Sequence, residues 1–181
     1  MSTVSVRLVT EFFFIHDWLV LAADDVLMAK NPRASASVRP ESFVIEKEVL
    51  PSLRNMLVKP VGWHTLKFAP SVLRKSPEIF TFLNDETLSR AQSFFEGESF
   101  LRVLVIPGLP ASGELRRASI EFMRERGIDA IIRFTTVIAG LVEKINSRQV
   151  YLSETNELLR ILKFYRFFPS ELQQTLPFEE K

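Results

Sequence analysis

Two runs of almost unbroken apolar residues, 100–106 and 128–134, stand on either side of an amphipathic segment. Strands that carry helices on both faces read as continuous apolar runs. Between them Ser112 is placed to cap a helix over 113–126, with Leu115, Ala118, Phe122 and Met123 inward and Gly127 as its left-handed stop. A strand, a helix and a second strand in one sheet call for a right-handed crossover and parallel strands. The chain is therefore bound to a sheet sheltered by helices.

The remaining segments extend that sheet. Spacings of three and four at Val6, Val9 and Phe13 predict a helix over 2–15. Residues 18–22 then read as a buried strand ending at Asp24-Asp25, and 26–29 as its continuation beyond a bend. Residues 31–42, rich in proline and serine, are a loop. Strands are expected over 43–49 and over 56–59, the latter closed by Pro60 and Gly62. Ser76-Pro77-Glu78 opens a short helix reaching Leu83, and Asn84 or Asp85 caps another that buries Leu88, Ala91 and Phe95 before Gly97. After the second apolar run, one helix carries Ile138, Leu141, Val142 and Ile145. A last one, capped by Ser153, carries Leu158, Ile161, Leu162 and Tyr165. The expected class is α/β, a mixed central sheet of about five strands flanked by helices. With 181 residues the chain fits a single domain, 1–181.

Composition removes several functions. Lys and Arg number 23 against 22 Asp and Glu, so the net charge of +1 does not describe a uniformly basic nucleic-acid coat. Without cysteine there is no disulfide, thiolate zinc site or thiol nucleophile. The two histidines, His16 and His64, are too far apart in sequence for a metalloprotease helix, and neither G-x-S-x-G nor G-x-G-x-x-G occurs. Residues 108–115 follow a strand and open a helix as a phosphate loop does. Glu114 and Leu115 stand where that loop needs Lys and Ser/Thr, so the segment is a turn. The apolar stretch 4–23 is broken by Arg7, Glu11, His16 and Asp17, which argues against a membrane span or signal peptide. A cytoplasmic protein without membrane association is expected.

Charge is distributed unevenly along the chain. No acid occurs between Glu48 and Glu78, while Arg54, Lys59, Lys67, Arg74 and Lys75 fall there with His64, Trp63 and Phe68 among them. Cations interleaved with aromatics suit a groove that tracks a phosphate backbone and stacks a base. Arg54, Lys59, Trp63, His64, Lys67, Arg74 and Lys75 are the candidate nucleic-acid contacts. Asp24, Asp25, Glu46, Glu48 and Asp129 fall near strand ends, where two or three carboxylates can converge on magnesium. Asp129, after a helix-ending glycine, is most simply a residue that opens a strand. Near the C terminus Phe164, Tyr165, Phe167 and Phe168 crowd into five positions, more than one buried helical stripe accepts. Residues 163–181 are accordingly a candidate homodimer interface.

Thr10-Glu11-Phe12-Phe13-Phe14 followed by the apolar 18–21, and Val58-Lys59-Pro60-Val61-Gly62-Trp63-His64 at a strand end, resemble the restriction-endonuclease-like, or PD-(D/E)xK, nuclease superfamily. The similarity is topological and spans about residues 5–135. It implies an Asp near the second strand and (D/E)-x-Lys on the third, together holding magnesium. By that resemblance Lys59 is the catalytic lysine, the metal ligands come from Asp24, Asp25 and Glu46, and Glu46, or Glu48 from the same segment, serves as a migrated catalytic acid. Two positions before Lys59 stands Leu57, which cannot bind a metal. With Lys47 in its place the acid position is Ile45, and Glu46 faces the other way. The resemblance thus implies a degenerate member of a bacterial family, without a cofactor, acting as an accessory module that binds nucleic acid or protein. An active magnesium-dependent nuclease and a structural or regulatory homodimer are the alternatives.

Overall fold

Thirteen residues rich in aromatic and branched side chains begin the fold as α1 (Thr3–Ile15) in this computed structural model, which describes residues 3–35, 39–64 and 67–168. The helix stops where Asp17 takes a left-handed backbone (φ 64°). Asp17 N–H then donates to Phe14 O and Trp18 N–H to Phe13 O, the paired bonds of a Schellman ending. β1 (Leu19–Ala23) and β2 (Val26–Lys30) follow as an antiparallel hairpin, Ala23 opposite Val26. Its two-residue loop is Asp24-Asp25, with Asp24 at φ 55°, the positive φ that tight hairpin loops demand. The apolar run 26–29 is therefore a returning strand, and the expected continuation beyond a bend is corrected.

β3 (Val44–Ile45) is only two residues long, because the alternation fails at Glu46-Lys47-Glu48 and the chain turns there. β4 (Asn55–Pro60), α2 (Pro70–Lys75), α3 (Asp85–Phe94), β5 (Leu101–Ile106), α4 (Gly113–Glu125), β6 (Ala130–Arg133), α5 (Phe134–Lys144) and α6 (Glu154–Phe164) complete the order. Short 3-10 segments lie at Leu50–Ser52 and Pro77–Leu83. α2 was not legible as a helix; it begins on Pro70, whose fixed φ suits a first helical position.

The sheet has six strands in the order β1-β2-β4-β5-β6-β3. β1, β2 and β4 form an antiparallel meander, and β4, β5, β6 and β3 run parallel. Alternation along β4 divides the interior in two. Met56 and Val58 pack with Phe12, Phe13, Val137 and Leu141 beneath α1 and α5. Leu57 packs on the other face with Leu73, Phe82, Phe95 and Met123 beneath α2, α3 and α4. The α/β class and mixed helix-flanked sheet stand as read, with one strand more than expected.

Three burial expectations are corrected. β1 is an edge strand, so Leu19 and Leu21 are exposed while Trp18, just before it, is buried against Phe13. Leu115 lies in the exposed first turn of α4. In α6 the buried residues are Asn156 and Leu159, and Leu158, Ile161 and Tyr165 are exposed, so the inward stripe is rotated from the expected one. The caps divide similarly. Asn84 accepts Thr87 N–H at 2.8 Å and Ser153 accepts from Asn156 N–H, but Ser112 and Ser76 make no side-chain cap.

Candidate functional site

The parallel strands end together, which gathers the ends of β4, β5, β6 and β3 on one rim of the sheet. Leu27 of antiparallel β2 pairs with Val58, so the Asp24-Asp25 loop reaches the same rim beside Lys59. Lys59 is 2 % exposed and its ammonium forms an ion pair with Asp25 Oδ1. The Asp25 side chain is 36 % exposed. The pair opens on a polar cleft that Thr81, Asn84, Thr87 and Arg90 also line. Those four were not read as site residues; they come from the start of α3 and the segment before it, which only the tertiary fold carries to β4.

The expected magnesium site does not assemble. Leu57, two positions before Lys59 and on the same sheet face, is wholly buried among apolar side chains. Glu46 lies beyond β3 on the far edge of the sheet, bound through both carboxylate oxygens to Arg133 Nη2 at 2.7 Å. Four strand spacings separate β2 from β3, about 19 Å. Glu46 therefore joins neither Lys59 nor Asp24 and Asp25, which corrects both its metal and its catalytic assignment. Asp25 gives one oxygen to Lys59, and Asp24 is exposed on the loop. Among the described residues no three His, Asp or Glu side chains are placed to hold a metal ion. The donor set does not fit magnesium, which needs several oxygens about 2.1 Å from the ion.

The basic stretch separates into held and exposed cations. Arg54, at the opposite end of β4 from Lys59, donates to Glu98 at 2.7 and 2.8 Å and to Ala34 O. Buried Asn55 donates to the same carboxylate at 2.8 Å. The Arg54 and Asn55 bonds pull Glu98 down to about 2. Trp63 is half-buried and stacked on Phe68, with ring centroids 6.1 Å apart. His64 is exposed, packs on the Phe134 edge and lies 3.2 Å from Ser5 Oγ. Lys67, Arg74 and Lys75 are exposed, the last two in the final turn of α2, which packs on α4. Arg54 and Lys59 thus sit at opposite rims and neither belongs to one groove with the rest, correcting the reading of 54–75 as a continuous contact surface. Asp129 does open β6. Burial raises its carboxyl, but the Arg102 side chain and backbone N–H outweigh that and hold it below the ordinary range.

The Glu98 cluster has a measurable pH signature. A depressed carboxyl stabilises the fold above its ordinary 4.5 and ceases to do so as pH falls towards 2. The urea midpoints of wild type and Glu98→Gln are expected to differ by a constant amount near neutrality. That gap should narrow steadily below about pH 4.5; a gap that is flat with pH would refute the assignment.

In the aromatic C-terminal segment Phe164, Tyr165 and Phe167 are exposed, and residues 169–181 lie outside the described ones. Among the described residues no helix is long and apolar enough to cross a membrane. Comparison with protein-family models, with curated proteins and with solved structures finds no match for the chain.

Proposed function

We propose that this chain is a non-hydrolytic binding module on a restriction-endonuclease-like scaffold, holding nucleic acid on the face where α2 packs against α4. The helix, antiparallel meander, helices and parallel strand succeed one another as in that superfamily, with a lysine on the third meander strand and an aspartate opening the second. Leu57 in place of the acid supports loss of hydrolysis.

One observation carries the binding half of the reading. Arg54 and Lys59 are occupied by Glu98 and Asp25, whereas Lys67, Arg74 and Lys75 are exposed before and along α2, beside a helix that also exposes Arg116 and Arg117. Such a cation group attracts a phosphate backbone without reading its sequence. Retention of labelled DNA or RNA is expected to weaken steeply with salt. In Arg74→Glu/Lys75→Glu it should weaken strongly at low salt, with the slope of log affinity against log salt shallower by about 1.8 if both cations meet phosphates of a duplex. Retention unchanged by the double reversal would end the proposal. Metal-dependent cleavage abolished by Lys59→Ala would restore the nuclease in its place.

A further inference from the structure

Where β5 and β6 begin, beside the end of α4, lies a cavity of about 330 Å³ that the function proposed above does not use. Three arginines and one carboxylate line it: Arg39, Arg102 and Arg124 with Asp129. The carboxylate is spent on one of them. Its Oδ2 accepts the Arg102 backbone N–H at 2.9 Å and Nε–H at 2.8 Å, and its Oδ1 accepts from Nη2 at 3.1 Å. Arg39 approaches Oδ1 only to 3.9 Å. Three cations thus face one anion, and the wall carries two uncancelled positive charges.

Each guanidinium is brought there by a different element. Arg102, on β5, is held by Asp129 through Nε and Nη2, which leaves Nη1 as its unused edge. That edge adjoins Gly127, another wall of the cavity, where a Cβ would lie 3.3 Å from Nη1. The Arg102 side chain is 36 % exposed although its Asp129 partner is only 12 % exposed. Arg124, in the last turn of α4, lies over the Phe43 ring at 5.1 Å from the centroid. An aromatic face orients a cation without neutralising it. Arg39 comes from the loop before β3 and is exposed. The closing carbonyls of α4, Phe122 O, Met123 O and Arg124 O, accept from Arg126, Ile128 and Gly127 N–H, so they are not free to oppose an anion.

We infer that this cavity binds the phosphate monoester group of a small molecule, its oxygens shared among Arg102 Nη1, Arg124 and Arg39. Planar forks of N–H donors match a group with several charged oxygens. A monoester carries about −1.5 to −2 at pH 7, which balances the surplus on the wall. The inference does not rest on the nucleic-acid reading, since none of the cations invoked there lines the cavity.

The test is calorimetric titration at low ionic strength with phenyl phosphate. Malonate serves as a dianion without phosphate, and dimethyl phosphate as the singly charged diester of a nucleic-acid backbone. Phenyl phosphate is expected to bind saturably at one site, and the two analogues about tenfold more weakly or worse. Arg39→Gln and Arg124→Gln, both at exposed positions, should each weaken phenyl phosphate about tenfold. Arg126→Gln is the control, because that guanidinium lies over Phe80 and Phe122 and does not line the cavity. It should leave the affinity unchanged. No saturable heat up to millimolar phenyl phosphate, equal binding of dimethyl phosphate, or equal weakening by Arg126→Gln would overturn the site.

Discussion

Asp25→Ala is expected to destabilise the fold by about 2–3 kcal/mol, whereas Lys59→Met should cost less than about 1 kcal/mol. The asymmetry comes from unequal burial. Lys59 has a 3 % exposed side chain, so losing Asp25 leaves its ammonium largely desolvated and without a counter-ion. Removing one partner of a buried pair is costly for that reason, at about 3–5 kcal/mol when both partners are inside. The figure here is set below that range because Asp25 is 36 % exposed. In Lys59→Met the converse holds. The aspartate left behind is already 36 % exposed, and an apolar side chain of similar length takes the place of the lysine's buried stem. The double variant should recover most of the loss, a coupling that a double-mutant cycle in urea measures directly. Equal costs for the two single substitutions would contradict the burial argument.

Gly140→Ala is expected to destabilise by about 1–2 kcal/mol, although alanine is the better helix former by about 1 kcal/mol. A Cβ at this position would lie 2.5 Å from Phe12 Cε2 and 3.2 Å from Cδ2. Phe12 is 1 % exposed, and its ring is held between Phe13 and His16, so it has nowhere to turn. Forcing extra volume into such packing typically costs about 1–3 kcal/mol beyond the propensity gain. Phe12→Leu in the Gly140→Ala background should restore part of the loss by removing the clashing atoms. Thermal melting of the two single variants and the double is sufficient. A Gly140→Ala protein more stable than wild type would show that α1 and α5 are not in close contact there.

These sites illustrate what local pattern conveys and what it withholds. The runs at β5 and β6 were legible because strands covered on both faces have no polar residues to hide, and Gly127 (φ 87°) ends α4 as its lack of a side chain allows. β3 shrank to two residues because β-branched content says nothing about how many partners a strand finds. β1 has the same apolar composition as an inner strand, so its edge position was invisible until β2 was seen to turn back on it. Lys59 and Asp25 were each singled out, yet their pairing depends on a register between β2 and β4 that neither segment encodes alone. Glu46 is out of reach for the same reason: sequence proximity to β4 conceals three intervening strand spacings.

β4 runs buried from Asn55 to Pro60, and six residues of extended chain span about 20 Å. Each end carries its own neutralising partner, Asp25 for Lys59 and Glu98 for Arg54, so a charge altered at one end acts on a near-neutral pair most of a strand's length away. The two ends of this strand therefore behave as separate electrostatic compartments joined by a rigid rod. Substitutions at one end should combine additively with those at the other, and either end can change its chemistry without disturbing its counterpart.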